Sequence, residues 1–181
     1  MTIRNPSVIW FRYLGGHGYG DITRNATGMK INGSYKLPAD PETVWAILLD
    51  PDALAKSIPG AQSFTPAGDD AYEVDLSVGV AAIRGNYSGR VEVTDQQPTS
   101  SFRLLVEGKG AKGAVNGSAL FTLSQGKPGE TVVDVEGGGE VAGLFSRVGQ
   151  RLLGGVAKLL MKQFFGGMKK QVQARVEAAA G

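Results

Sequence analysis

Val148, Leu152, Val156, Leu160, Phe164, Met168, Val172 and Val176 make every fourth position apolar, and this spacing predicts one long amphipathic helix at the end of the chain. Ahead of it, residues 61–141 alternate apolar and polar with the two-residue period of strands, broken by Gly, Pro and Asp clusters. That is the pattern of an antiparallel sheet with one apolar face. Such a face needs a cover, and the terminal helix is the obvious one. The expected architecture is therefore α+β: a curved antiparallel sheet wrapped around a long C-terminal helix. The functional question is whether side chains fill the space between them or leave it for a ligand.

The remaining elements follow from local signals. Ile31, Tyr35 and Leu37 alternate with Asn32, Ser34 and Lys36, a first strand with one wet face. Asp40 is placed to cap a helix with Pro41 at its first position, Glu42 in its first turn, and Val44, Trp45, Leu48 and Leu49 on its buried side. Asp50-Pro51 ends that helix, and a second short one over 52–57 leads to the Ile58-Pro59-Gly60 turn. Alternating runs at 72–80, 83–94, 102–109, 117–124 and 131–141, with a short strand near 62–65, bring the count to seven strands. Their hairpin-length gaps make the sheet antiparallel.

Composition narrows the chemistry. The 181 residues, 42% hydrophobic, suffice for a single domain with a substantial core. The absence of cysteine excludes disulfides, thiolate catalysis and zinc–sulfur sites and is compatible with a reducing cytoplasm. His17 is the only histidine. It lies in residues 1–28, a segment of different composition that is expected to be an extension outside the fold, leaving 29–181 as the domain. No Ser sits in a nucleophile-elbow context, and the glycine strings at 108–113 and 137–139 match neither a P-loop nor a dinucleotide fingerprint. Glu73 and Asp75 fall on the outward side of their strand, so paired-carboxylate catalysis is not expected.

Charge divides along the chain. Residues 144–181 carry seven basic residues against Glu177 alone, whereas 29–143 carry nine basic and fifteen acidic. An acidic body argues against nucleic-acid binding. A basic amphipathic helix fits either a solvated outer face or an anionic membrane surface, to which Lys158, Lys162, Lys169 and Lys170 would turn.

Alternation directs Leu76, Val78, Tyr87, Val91, Leu104, Val106, Phe121, Leu123, Val133 and Val135 toward the helix, with Arg84, Arg90, Glu92, Arg103, Asp134 and Glu136 outward. On that register Gly85, Gly89, Gly108, Gly117, Gly137 and Gly139 also point inward. Two readings of these glycines stand side by side, a hollow interior and a strongly coiled sheet. The terminal helix, which on this reading also holds Gly143, Gly149, Gly154-Gly155 and Gly166-Gly167 despite their cost to a helix, favours the hollow. Part of its excess of Leu, Met and Phe fits a face toward the membrane or a partner, with a homodimer seam as the alternative. Tyr35, Tyr72 and Tyr87 are either ligand-orienting hydroxyls or ordinary packing.

Several segments together resemble the G-subunit family of carbon monoxide dehydrogenase, CoxG. They are Met29-Lys30-Ile31-Asn32-Gly33-Ser34-Tyr35, Pro41-Glu42-Thr43-Val44-Trp45 with Leu49-Asp50-Pro51, Ile58-Pro59-Gly60, and Gly85-Asn86-Tyr87-Ser88-Gly89. The closing Arg147-Val148-Gly149-Gln150-Arg151-Leu152-Leu153 and Gln163-Phe164-Phe165 complete the set, and the match covers about residues 29–170. The resemblance implies a START-like helix-grip fold of the SRPBCC superfamily. It also implies a non-catalytic cytoplasmic accessory protein of a molybdenum hydroxylase, one that helps place the enzyme at the inner face of the membrane and whose cavity suits a lipid-like molecule such as a respiratory quinone. The chain departs from the pattern in its 28-residue leader and in stopping at Gly181, where some relatives continue into a tail that tethers them to a membrane.

The expected ligand-lining set is Trp45, Leu49, Leu76, Val78, Tyr87, Gly89, Leu104, Val106, Gly117, Phe121, Val133, Leu152, Val156, Leu160 and Phe164. A bound quinone or lipid is the expected ligand, with no covalent cofactor, no metal and no nucleic acid. The rival functions are a polyketide cyclase or aromatase, which share the fold, and a structural adaptor with a filled core.

Overall fold

The computed structural model describes residues 27–80 and 83–181. Strands β1 (Thr27–Leu37), β2 (Ala61–Pro66), β3 (Ala71–Val78), β4 (Gly85–Gln97), β5 (Ser101–Gly110), β6 (Gly113–Gln125) and β7 (Thr131–Gly143) form one antiparallel sheet in the order β1-β7-β6-β5-β4-β3-β2. From β2 to β7 each strand pairs with the next in sequence, so short connections set the register. β1 is the exception. It pairs with β7 along its whole length, and helices α1 (Pro41–Leu48) and α2 (Pro51–Ser57) carry the chain from one edge of the sheet to the other. The buried Thr131 hydroxyl donates to the Ala39 carbonyl at 2.7 Å and ties the start of β7 to the loop before α1. The 31-residue α3 (Gln150–Ala180) lies along β1 and crosses α2 and α1. This is the sheet-and-helix architecture expected.

Three local expectations are corrected. Asp40 occupies the cap position of α1, but its side chain makes no capping bond. Asp50, expected only to stop α1, caps α2 instead, accepting from the Asp52 and Ala53 amides at 2.9 and 3.2 Å. Its other oxygen takes the Arg175 guanidinium at 3.2 Å, so one carboxylate links the start of α2 to the last turns of α3.

The third correction concerns the fourfold apolar ladder, which does not run straight down α3. At about 100° per residue, each step of four overshoots a full turn by about 40°, so a ladder of fours winds around the helix. The residues actually buried are Leu153, Val156, Phe165, Met168 and Val172, whereas Leu152 is 52% and Val176 42% exposed. Val148, Gly143 and Gly149 lie outside α3 altogether. The two glycines bracket a 3-10 turn, Leu144–Arg147, with φ of 74° and 84°, a region other residues rarely adopt.

β1 begins at Thr27, two residues before the expected Met29, and His17 with the rest of residues 1–26 lies outside the described residues. Packing divides into two cores. The larger joins Leu37, α1, α2, the ends of β4–β7 nearest them, and Phe165, Met168 and Val172 of α3. The smaller consists of Val141, Phe145 and Leu153, with Met29, Ile83, Tyr87, Val115 and Val148 packed against it.

Candidate apolar slot between two cores

The ladder register shows what separates the cores. Val93, Leu104, Ala119 and Gly137 form one row across β4–β7, and its apolar side chains belong to or pack on the larger core. Four residues further along, Gly89, Gly108, Val115 and Val141 form another row, whose Val141 belongs to the smaller core and whose Val115 packs on it. Between them runs Val91, Val106, Gly117 and Gly139. All four are half-buried, and neither valine is part of either core. On α3, Ala157 and Leu160 are likewise half-buried and in neither core, and a Cβ built on the half-buried Gly154 would meet nothing within 4 Å. These positions mark a candidate apolar slot, a half-buried strip of the sheet flanked by the two cores.

The inward glycines are not what opens it. A Cβ on Gly89 would collide with the Glu107 carbonyl oxygen of the neighbouring strand, one on Gly137 would lie 2.6 Å from the Ala119 Cα, and one on Gly139 would lie 3.0 Å from the Gly117 Cα. These positions are glycine because adjacent strand backbones approach too closely for a side chain, which is the coiled-sheet reading. Gly89, expected to line the cavity, therefore opens no space for a ligand. On α3, a Cβ on Gly154 would meet nothing within 4 Å, as on the exposed Gly155 and Gly166.

The rest of the expected lining set is dispersed. Phe121 and Val133 are 3% and 0% exposed inside the larger core, Phe121 stacking on Phe102 at 4.8 Å. Trp45, Leu49, Leu104 and Phe164 are half-buried against that core, and Tyr87 against the smaller one. Val78 and Val156 are buried, and Leu76 is half-buried on β3. Leu152 turns to solvent, because the helix rotates it away from the sheet, and it cannot line an interior site. Val106, Gly117 and Leu160 remain at the slot. Ala157 and Gly154, half-buried on α3, were not among the expected residues.

The inner face carries no charged side chain among the described residues. Its titratable groups are phenols. Burial pushes Tyr35, Tyr72 and Tyr87 above the ordinary tyrosine range, with Asp70 and Asp50 adding to the effect at Tyr72. Neutral phenols offer hydrogen bonds but do not exchange protons near neutral pH. Tyr87 donates its hydroxyl proton to the Ile83 carbonyl, and Tyr35 stacks on Phe165 at 4.0 Å. Chemically, the slot is suited to holding an apolar molecule.

Lys158, Lys162, Lys169 and Lys170 are all exposed on α3. No helix among the described residues is long and apolar enough to cross a membrane.

Residues 33–173 match the family of the carbon monoxide dehydrogenase G-subunit, CoxG. The chain belongs to that family. A conserved protein from Geobacillus kaustophilus is 39% identical, with a TM-score of 0.78 over 81% of this chain and 96% of that one. A START superfamily protein from Mycobacterium smegmatis superimposes with a TM-score of 0.64 at 13% identity, over 80% of this chain and 97% of that one. The ZhuI aromatase/cyclase from Streptomyces sp. R1128 does so with 0.63 at 15% identity, over 86% and 99%. These two distant likenesses establish a START-like fold for this CoxG-family chain. No curated protein is similar enough in sequence to be matched.

Proposed function

We propose that this CoxG-family chain is a non-catalytic accessory protein that holds an apolar ligand, a respiratory quinone, for a molybdenum hydroxylase of the carbon monoxide dehydrogenase type at the cytoplasmic face of the membrane. The slot is the observation that carries the ligand half of this reading. An apolar, half-buried strip between two packed cores has room at Gly154 and no charge to exclude a hydrocarbon. Family membership supports the partner. The membrane half draws on α3 and the turn before it. Between Glu140 and Glu177 there is no acidic residue, and Leu144, Leu152 and Leu159 are 51%, 52% and 42% exposed among Arg147, Arg151, Lys158 and Lys162. Exposed leucines among basic side chains fit an anionic lipid surface, where hydrocarbon enters the interface and lysines stay at the headgroups.

Titration with a short-chain ubiquinone analogue, followed by quenching of Trp45 fluorescence, tests the ligand. Binding should saturate and should be lost in Gly154→Leu, whose side chain would occupy the slot. Saturable binding that survives Gly154→Leu places the ligand elsewhere and defeats the slot as its site.

A further inference from the structure

A ligand held in the slot must enter it, and the smaller core is the weaker of the two seals. Among the described residues it holds three buried hydrophobic residues, against sixteen in the larger. Phe145 is its centre. This ring, 6% exposed, lies 5.7 Å from Tyr87, and a Cβ on Gly113 would come within 3.0 Å of it. Phe145 is also the one buried residue of the 3-10 turn Leu144–Arg147, whose ends are the left-handed Gly143 and Gly149. Nothing approaches Gly149 within 4 Å of a built Cβ, so the turn is not wedged on that side. A backbone bond from the Leu144 amide to the Lys112 carbonyl, 2.8 Å, fastens the turn to the β5–β6 hairpin.

We infer that Tyr87 and Phe145 are the portal of the slot, with the turn Leu144–Arg147 as its latch, hinged at Gly143 and Gly149. The inference rests on the ligand reading above and adds the route by which an apolar molecule arrives. Opening breaks the Leu144–Lys112 bond and lifts one ring from a three-residue core, while the larger core and the pairing of β1 with β7 stay intact. Leu144, exposed on the same turn, moves with Phe145, so a lipid surface that takes up Leu144 also draws the latch outward.

Two measurements on the full chain decide this. In native-state hydrogen exchange, the Leu144, Val148 and Leu153 amides should exchange through an opening about 100-fold more frequent than the one exposing Leu123, and urea below the unfolding range should leave that opening unchanged. Exchange of these amides only in the urea-dependent event that exposes Leu123 overturns the portal. In stopped-flow binding of N-phenyl-1-naphthylamine, a neutral apolar fluorophore, Phe145→Ala should raise association and dissociation rates together, each about tenfold, with Kd kept within about threefold. Phe145→Leu should give a smaller change of the same kind. An effect on dissociation alone makes Phe145 a lining residue and overturns the portal while leaving the slot intact. A wild-type protein that binds neither this probe nor the quinone analogue overturns the ligand reading and the portal with it.

Discussion

Gly154 and Gly139 are both glycines beside the slot, yet they are there for opposite reasons. At Gly154 a side chain would enter open space, so Gly154→Ala should raise stability by about 1 kcal/mol through helix propensity alone, checked by urea denaturation. At Gly139 a Cβ would collide with the backbone of the neighbouring strand, and Gly139→Ala should cost more than about 2 kcal/mol in the same measurement. In the sequence the two are indistinguishable, because the letter records a missing side chain and not what stands in its place. The inward register of the strand glycines was legible; their cause was not. Asp75 offers a separate test on the outer face of the sheet. Hydrogen bonds from the Ser88 and Ser63 hydroxyls, both 2.7 Å, hold its carboxyl below the usual carboxylate range. A depressed folded value stabilises the protein above the unfolded pKa of about 3.9, and this contribution is lost as pH falls through the folded value. The Tm advantage of wild type over Asp75→Asn should therefore be constant near neutrality and shrink below about pH 4. An advantage that persists unchanged into that range would show that the serines do not favour the ionised form.

The strands were largely legible because period two has no drift. Once one residue of a hairpin points inward, every second one does, and the short connections carry that register onward from β2 to β7. Helix α3 shows the opposite case. Its spacing correctly announced a long amphipathic helix, but a repeat of four and a turn of about 3.6 residues diverge along 31 residues, so the ladder could not say which leucine faces the sheet. Adjacent positions make this measurable. Leu153→Ala should cost about 2–4 kcal/mol by removing a buried member of the smaller core, whereas Leu152→Gln should stay within about 0.5 kcal/mol of wild type. Equal losses would mean the helix is rotated from the position described. Capping was misread for a related reason. Asp40 and Asp50 have the same local signature, each followed by Pro at the first helical position, and only the tertiary ion pair with Arg175 distinguishes the one that is held in place.

Across the molecule, the charge division read from the sequence survives folding as an exposed basic ridge on α3. If that ridge meets anionic lipid, replacing Lys158, Lys162, Lys169 and Lys170 together by Gln should abolish co-sedimentation with phosphatidylglycerol vesicles at low salt while leaving Tm nearly unchanged. Wild type that fails to sediment would leave the ridge as a solvated surface and assign recruitment to the enzyme partner. Neither the slot nor its two flanking cores was legible as such, since both arise from where α3 rests, along β1 and the short helices and not squarely over β4–β6. That placement has a consequence for synthesis. β1 finds its partner only when β7 emerges, about a hundred residues later, and the helix that seats on β1 is made after the whole sheet. At roughly 5–20 residues per second, translation takes some seconds to add α3 after the last strand, and until it seats the apolar face of the sheet is bare. On the ribosome this domain is most prone to aggregate before α3 seats, and an apolar molecule present at that moment would be enclosed without having to pass through any opening.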